Sequence, residues 1–131
     1  MSEVETAIRK YIADVDKSWN YITAPELMKS GTDNYFLLDV RRKRDYNKGH
    51  IKGAKNIYWK NIMKSDNLAK LPRDKTILLV CYVGHTASQV LVILKLLGYN
   101  VKVLKFGLGI SPVVGVPVAG WTNYGYPIEK S

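Results

Sequence analysis

The sequence predicts an α/β fold built on a mostly parallel sheet of about five strands, with helices on both faces. Short apolar runs alternate with helix-like segments along the chain, at intervals that suit parallel connections. The clearest run, Thr76-Ile77-Leu78-Leu79-Val80, is apolar and β-branched, as a strand buried on both faces must be. Directly after it stands Cys81, the only cysteine, and then a nearly all-apolar helix from Ala87 to Leu97 that stops at Gly98. Parallel sheets bind ligands outside the carboxyl ends of their strands, so the Cys81 junction is where chemistry is expected.

The elements follow in chain order. Val4, Ala7, Ile8, Tyr11, Ile12 and Val15 recur at helical spacing, which predicts an N-terminal helix packed on the domain as an extension over residues 1–20. Asn20-Tyr21-Ile22 reads as a short edge strand. Thr23 with Glu26 three residues on, and Pro25 between them, marks a helix start, and Gly31 marks its end. Tyr35 to Val40 is a second apolar strand carrying Asp39 at its close. Arg41 to Lys48 reads as a short basic helix ended by Gly49, and Ala54 to Ile57 as a brief strand near an edge. A helix is expected over Tyr58 to Ser65, then a connection from Leu68 to Asp74 turning at Pro72. Val101 to Leu104 supplies the last strand. From Phe106 to Ile128 no residue is charged, but glycines and prolines break any continuous helix, so an apolar loop over the domain is expected rather than a membrane span.

Composition narrows the function classes. A chain of 131 residues with 47% hydrophobic content makes one globular domain. A lone cysteine forms no internal disulfide, and with only His50 and His85 beside it no metal site is expected. The first residues carry acids and no apolar h-region, so a cytoplasmic protein is expected, where a free thiol stays reduced. The net charge of +9 is uneven: residues 41–75 hold twelve basic and three acidic side chains, a net of +9, against −3 for residues 1–40. Such a segment either solvates a face or attracts an anionic substrate or acidic partner. No aromatic interleaving or RNA-binding motif supports a nucleic-acid partner.

The chemistry expected at Cys81 follows from its position. Amides of a tight loop opening a helix can converge on one point, reinforced by the helix dipole, and favour thiolate over thiol. The amides of Tyr82, Val83, Gly84, His85 and Thr86 are the expected cradle, with Gly84 permitting a turn that a β-carbon would hinder. The competing account is a buried structural cysteine, since cysteine packs as a small hydrophobe.

Three stretches carry a likeness. Leu38-Asp39-Val40-Arg41 is followed by Asp45 and then by Gly49-His50-Ile51-Lys52-Gly53-Ala54-Lys55-Asn56-Ile57. The loop opens at Cys81 with glycine three positions later. The chain ends with Trp121 and Gly125-Tyr126-Pro127-Ile128. Together these resemble the rhodanese family, the single-domain sulfurtransferases, over residues 21–131. The resemblance implies a three-layer sandwich and a two-step sulfur transfer from thiosulfate or a persulfide donor, through a Cys81 persulfide, to cyanide, a thiol or a carrier protein, which the basic segment would suit if that protein is acidic. No cofactor and no membrane partner are implied. Asp39 and Arg41 would brace the loop as a charge pair, unless Asp39 only caps a helix. His85 would orient substrate or simply face solvent, and His50 would be a supporting, chiefly structural residue.

Two departures from the family pattern stand out. Many such loops end in arginine or lysine where this chain has Thr86, and about a dozen additional residues precede Trp121, as a lid or an interface. A phosphatase of related fold would need arginine six positions after the cysteine, and that position is Ala87. The remaining alternative is a carrier or interaction module that holds a persulfide without turnover.

Overall fold

The computed structural model describes residues 2–113, 115 and 117–131; Met1, and Val114 and Val116 within the expected apolar loop, lie outside the described residues. Five strands form one all-parallel sheet in the order β1-β5-β4-β2-β3. They are β1 (Tyr21–Ile22), β2 (Phe36–Asp39), β3 (Lys55–Asn56), β4 (Ile77–Val80) and β5 (Val101–Leu104). Central β4 is buried at every residue and pairs Leu79 with Leu38 on β2 and with Val103 on β5. Both faces are covered, which is why β4 is apolar without alternation. Leu38, Val40, Ile77, Leu79, Cys81, Val101 and Val103 face one apolar layer, shared with Ala87, Val90, Leu91 and Leu94. Leu37, Leu78, Val80 and Leu104 face the other, with Ala24, Leu27, Leu108 and Trp121.

The helices are α1 (Glu3–Asp14), α2 (Ala24–Ser30), α3 (Lys43–Lys48), α4 (Ser65–Leu68) and α5 (His85–Leu96). Thr23 caps α2 as expected, its hydroxyl accepting the Glu26 amide while the Glu26 carboxylate reaches back. Helix α1 starts from a similar capping box at Ser2. It meets the domain through Tyr11, and much of its apolar stripe stays in water, with Val4 65% and Ile12 66% exposed.

Three expected boundaries shift. Arg41 is not helical: its side chain turns inward onto Asp39, so α3 begins only at Lys43. The helix expected over Tyr58 to Ser65 is instead a 3₁₀ turn at Trp59–Asn61 followed by α4, because Lys64 is extended and the Asn67 side-chain amide takes up the Asn61 carbonyl. Helix α5 begins at His85 rather than Ala87, with Gly84 at its N-cap at a φ of 105°, a left-handed conformation that suits glycine.

Candidate active site

Cys81 follows β4 and points into the layer beneath α5. Its Sγ accepts the Gly84 N–H at 3.1 Å and the Ala87 N–H at 3.3 Å, with the amides of Thr86 and Val83 also favouring its anion. Ala87 is a donor that the sequence does not predict. Tyr82 and His85 are predicted donors, yet among the described residues neither amide donates to the sulfur. Helix α5 starts two residues early, which puts Ala87 in its first turn with its amide on the sulfur.

Burial works against the expected thiolate. Cys81 is 1% exposed, and burial pushes its thiol above the ordinary range, while the amides of Ala87, Gly84, Thr86 and Val83 recover only part of that cost. The cradle is nonetheless built for negative charge on sulfur, and no side chain has to move to provide it.

A second set of bonds fixes the loop from behind. Leu108 N–H donates to the Cys81 carbonyl and Gly109 N–H to that of Tyr82, both at 2.9 Å. Trp121 and Thr122 in turn donate to the carbonyls of Gly107 and Leu108. At Gly107 a β-carbon would lie 2.5 Å from the Cys81 carbonyl oxygen, so only glycine fits against the loop. Gly120 is similarly close to Phe106 and Gly109. In the sequence these glycines read only as helix breakers; their clustering in an uncharged stretch is the signal that could have found them.

Asp39 and Arg41 form a buried pair. The guanidinium donates through Nε to Oδ1 at 3.0 Å and through Nη2 to Oδ2 at 2.8 Å, and Nη2 also reaches the Gly49 carbonyl. The Arg41 backbone N–H donates to Asp39 as well, and Asn56 spans the Asp39 and Arg41 carbonyls. Asp39 caps no helix, since α3 starts from Arg42 without a side-chain cap. The pair reaches the loop through Tyr82, whose ring lies 5.7 Å from the Arg41 guanidinium carbon and whose hydroxyl donates to Asp45. Burial and that bond to Asp45 push the Tyr82 phenol above its usual range, keeping it a donor.

His50 lies outside this cluster. Its Nδ1 bonds the Tyr46 carbonyl, its ring stacks on Tyr46 and its backbone pairs with Glu129, so it fastens the C-terminal segment. His85 is exposed and lines a cavity of about 390 Å³ with Tyr21, Ser88 and Lys105, among whose walls Cys81 is absent. Pro117 and Val118 border that cavity, while Ile110, Ser111 and Pro112 border a smaller one beside Arg41 and Tyr82. The additional residues before Trp121 thus flank the loop on two sides. Among the described residues no cluster of His, Cys, Asp and Glu could hold a metal, and no helix is long and apolar enough to cross a membrane.

The site is thus a cysteine held by main-chain amides between a parallel strand and a helix. Residues 23–109 match the Rhodanese-like domain, and the chain belongs to that family. It is similar to a rhodanese-related protein of Thermoplasma volcanium, at 24% identity and a TM-score of 0.71, covering 85% of this chain and 98% of that one. A rhodanese-like domain protein of Staphylococcus aureus is 24% identical with a TM-score of 0.62, over 75% and 96% of the two chains. Among curated proteins, 64 residues are 36% identical to the probable adenylyltransferase/sulfurtransferase MoeZ of Mycobacterium tuberculosis, covering 49% of this chain. The match spans only 16% of MoeZ.

Proposed function

We propose that the protein is a sulfurtransferase that moves sulfane sulfur from thiosulfate or a persulfide donor to a thiophilic acceptor through a Cys81 persulfide. The observation that carries this reading is the pair of amide bonds from Gly84 and Ala87 to the Cys81 sulfur at the start of α5. The Cys81 thiolate attacks the outer sulfur of thiosulfate, forming an S–S bond as the donor's S–S bond breaks and sulfite leaves with the electron pair. The product, a Cys81 persulfide anion, still carries one negative charge on sulfur. Attack on its terminal sulfur by cyanide or a thiolate releases thiocyanate or a new persulfide and restores Cys81. The attacking thiolate and the persulfide are both anionic, and amides already aimed at the site stabilise them once the thiol has lost its proton. The arrangement suits a small anionic donor and a reducing compartment such as the cytoplasm.

Burial of the thiol favours a second reading, a carrier that holds the persulfide and releases it only to a docked partner. Incubation with thiosulfate and cyanide separates the two. Thiocyanate turnover that disappears in Cys81→Ser supports the enzyme, and a stable Cys81 persulfide by mass spectrometry without turnover supports the carrier. No persulfide under either condition refutes both.

A further inference from the structure

We infer that the acceptor is an acidic polypeptide bearing a reactive thiol, which docks on a cationic rim formed by Arg42, Lys43, Lys60 and Lys64 beside the sulfur loop. The inference rests on the sulfur-transfer reading and names the partner of the same site. The sulfur shares its apolar layer with Ile57, Ile62 and the half-buried Trp59. The Trp59 N–H donates to the Val40 carbonyl, and the Val40 N–H to the carbonyl of Val80, the residue before Cys81. The rim is thus bonded to the same carboxyl edge of the sheet as the loop.

The charges on this edge are left for a partner. Residues 41–64 contain nine lysines and arginines and one carboxylate, Asp45, which accepts the Tyr82 hydroxyl. Arg41 is consumed by Asp39, whereas among the described residues Arg42, Lys43, Lys60 and Lys64 make no ion pair and are exposed. Arg42 lies over the Tyr58 ring at 5.3 Å and Lys60 near the Trp59 ring at 5.7 Å, so aromatic contacts fix two of the cations on that edge. Met63, one residue before Lys64, is exposed and offers an adaptable apolar contact. An extended set of cations on the sheet edge that carries the sulfur steers and orients a negatively charged surface more than it serves a single small dianion. The same stacking argues against RNA, because bases need open aromatic faces and these carry cations.

The transfer itself balances without an external oxidant: the partner thiolate takes the terminal sulfur of the Cys81 persulfide, one S–S bond replaces another, and Cys81 leaves as thiolate.

Two fluorescent peptides, each with one cysteine, one rich in glutamate and one in serine, test the proposal. Anisotropy measures their binding to unloaded protein, and mass spectrometry measures sulfur transfer from the persulfide. The acidic peptide is expected to bind and to show a KM lower by about tenfold at low salt, with the advantage lost as salt screens the rim. A Lys60→Glu/Lys64→Glu variant, folded by circular dichroism, should lose that KM advantage while kcat stays within about twofold. Equal binding of the two peptides at low salt overturns the proposal. So does tight binding of an oligouridylate that the acidic peptide fails to displace. Failure to load Cys81 with sulfur, with the peptide preference intact, counts instead against the sulfur-transfer reading.

Discussion

Replacing Gly107 with alanine tests how the loop is held. The residue sits at a φ of 57°, and its β-carbon would lie 2.5 Å from the Cys81 carbonyl oxygen and 3.0 Å from the carbonyl carbons of Cys81 and Tyr82. The left-handed conformation alone costs alanine about 1–2 kcal/mol. The overlap falls on backbone, which yields less readily than a side chain, and adds about 1–3 kcal/mol. The sum, about 2–5 kcal/mol, lowers the melting temperature of a domain this size by about 7–18 °C. Gly53→Ala is the matched control, because Gly53 has a φ of 87° but a β-carbon there would meet nothing within 4 Å. It should lose only the conformational part, about 1–2 kcal/mol. Gly107→Ala should also slow persulfide formation at temperatures where it remains folded, because the bonds from Leu108 and Gly109 set the loop that presents the Gly84 and Ala87 amides. Paired melting curves and mass-spectrometric loading with thiosulfate measure both effects. Equal melting temperatures for the two variants would refute the strap as a determinant of loop geometry.

Because burial holds the Cys81 thiol above its ordinary range, the thiolate fraction grows about tenfold per pH unit below that pKa. Persulfide formation should therefore rise with pH through neutrality, with a slope near one on a logarithmic plot; a flat profile from pH 6 to 8 would mean a resting thiolate. Thr86→Arg, which places a cation at the last loop position, should favour the thiolate and move the same profile to lower pH by about one pH unit or more. Asp39→Ala leaves the Arg41 guanidinium buried without its carboxylate and should cost about 3–5 kcal/mol in urea denaturation. A loss under about 1 kcal/mol would mean that water or the Gly49 carbonyl fully compensates.

How much of this was legible in the sequence depended on how local each cause was. Strand β4 could be read because a strand covered on both faces must be apolar throughout, and the capping box of α2 because its bonds join residues three apart. Cys81 was located by the strand and helix on either side of it, and the family pattern added Asp39 and Arg41 at the end of another strand. The start of α5 was misplaced because His85 and Thr86 are polar, and the positive φ of Gly84 is visible only in the folded chain. The break after Asn61 has no glycine or proline to announce it; an extended Lys64 and a bond from Asn67 create it. The sulfur's acid strength was the hardest property to read because two opposed effects meet there. The amides could be anticipated from the loop, but the depth of burial depends on α5 and on apolar residues from β2 to α4, scattered along the sequence.

The order in which the bonds arise along the chain bears on biosynthesis. Strand β1 finds its partner in β5, some eighty residues later, and the carbonyls of Cys81 and Tyr82 wait for Leu108 and Gly109. Those two are themselves locked only when Gly120 to Thr122 fold back. A ribosome releasing the chain from its N-terminus would thus expose the Cys81 thiol without this scaffold until residues 107–122 have emerged.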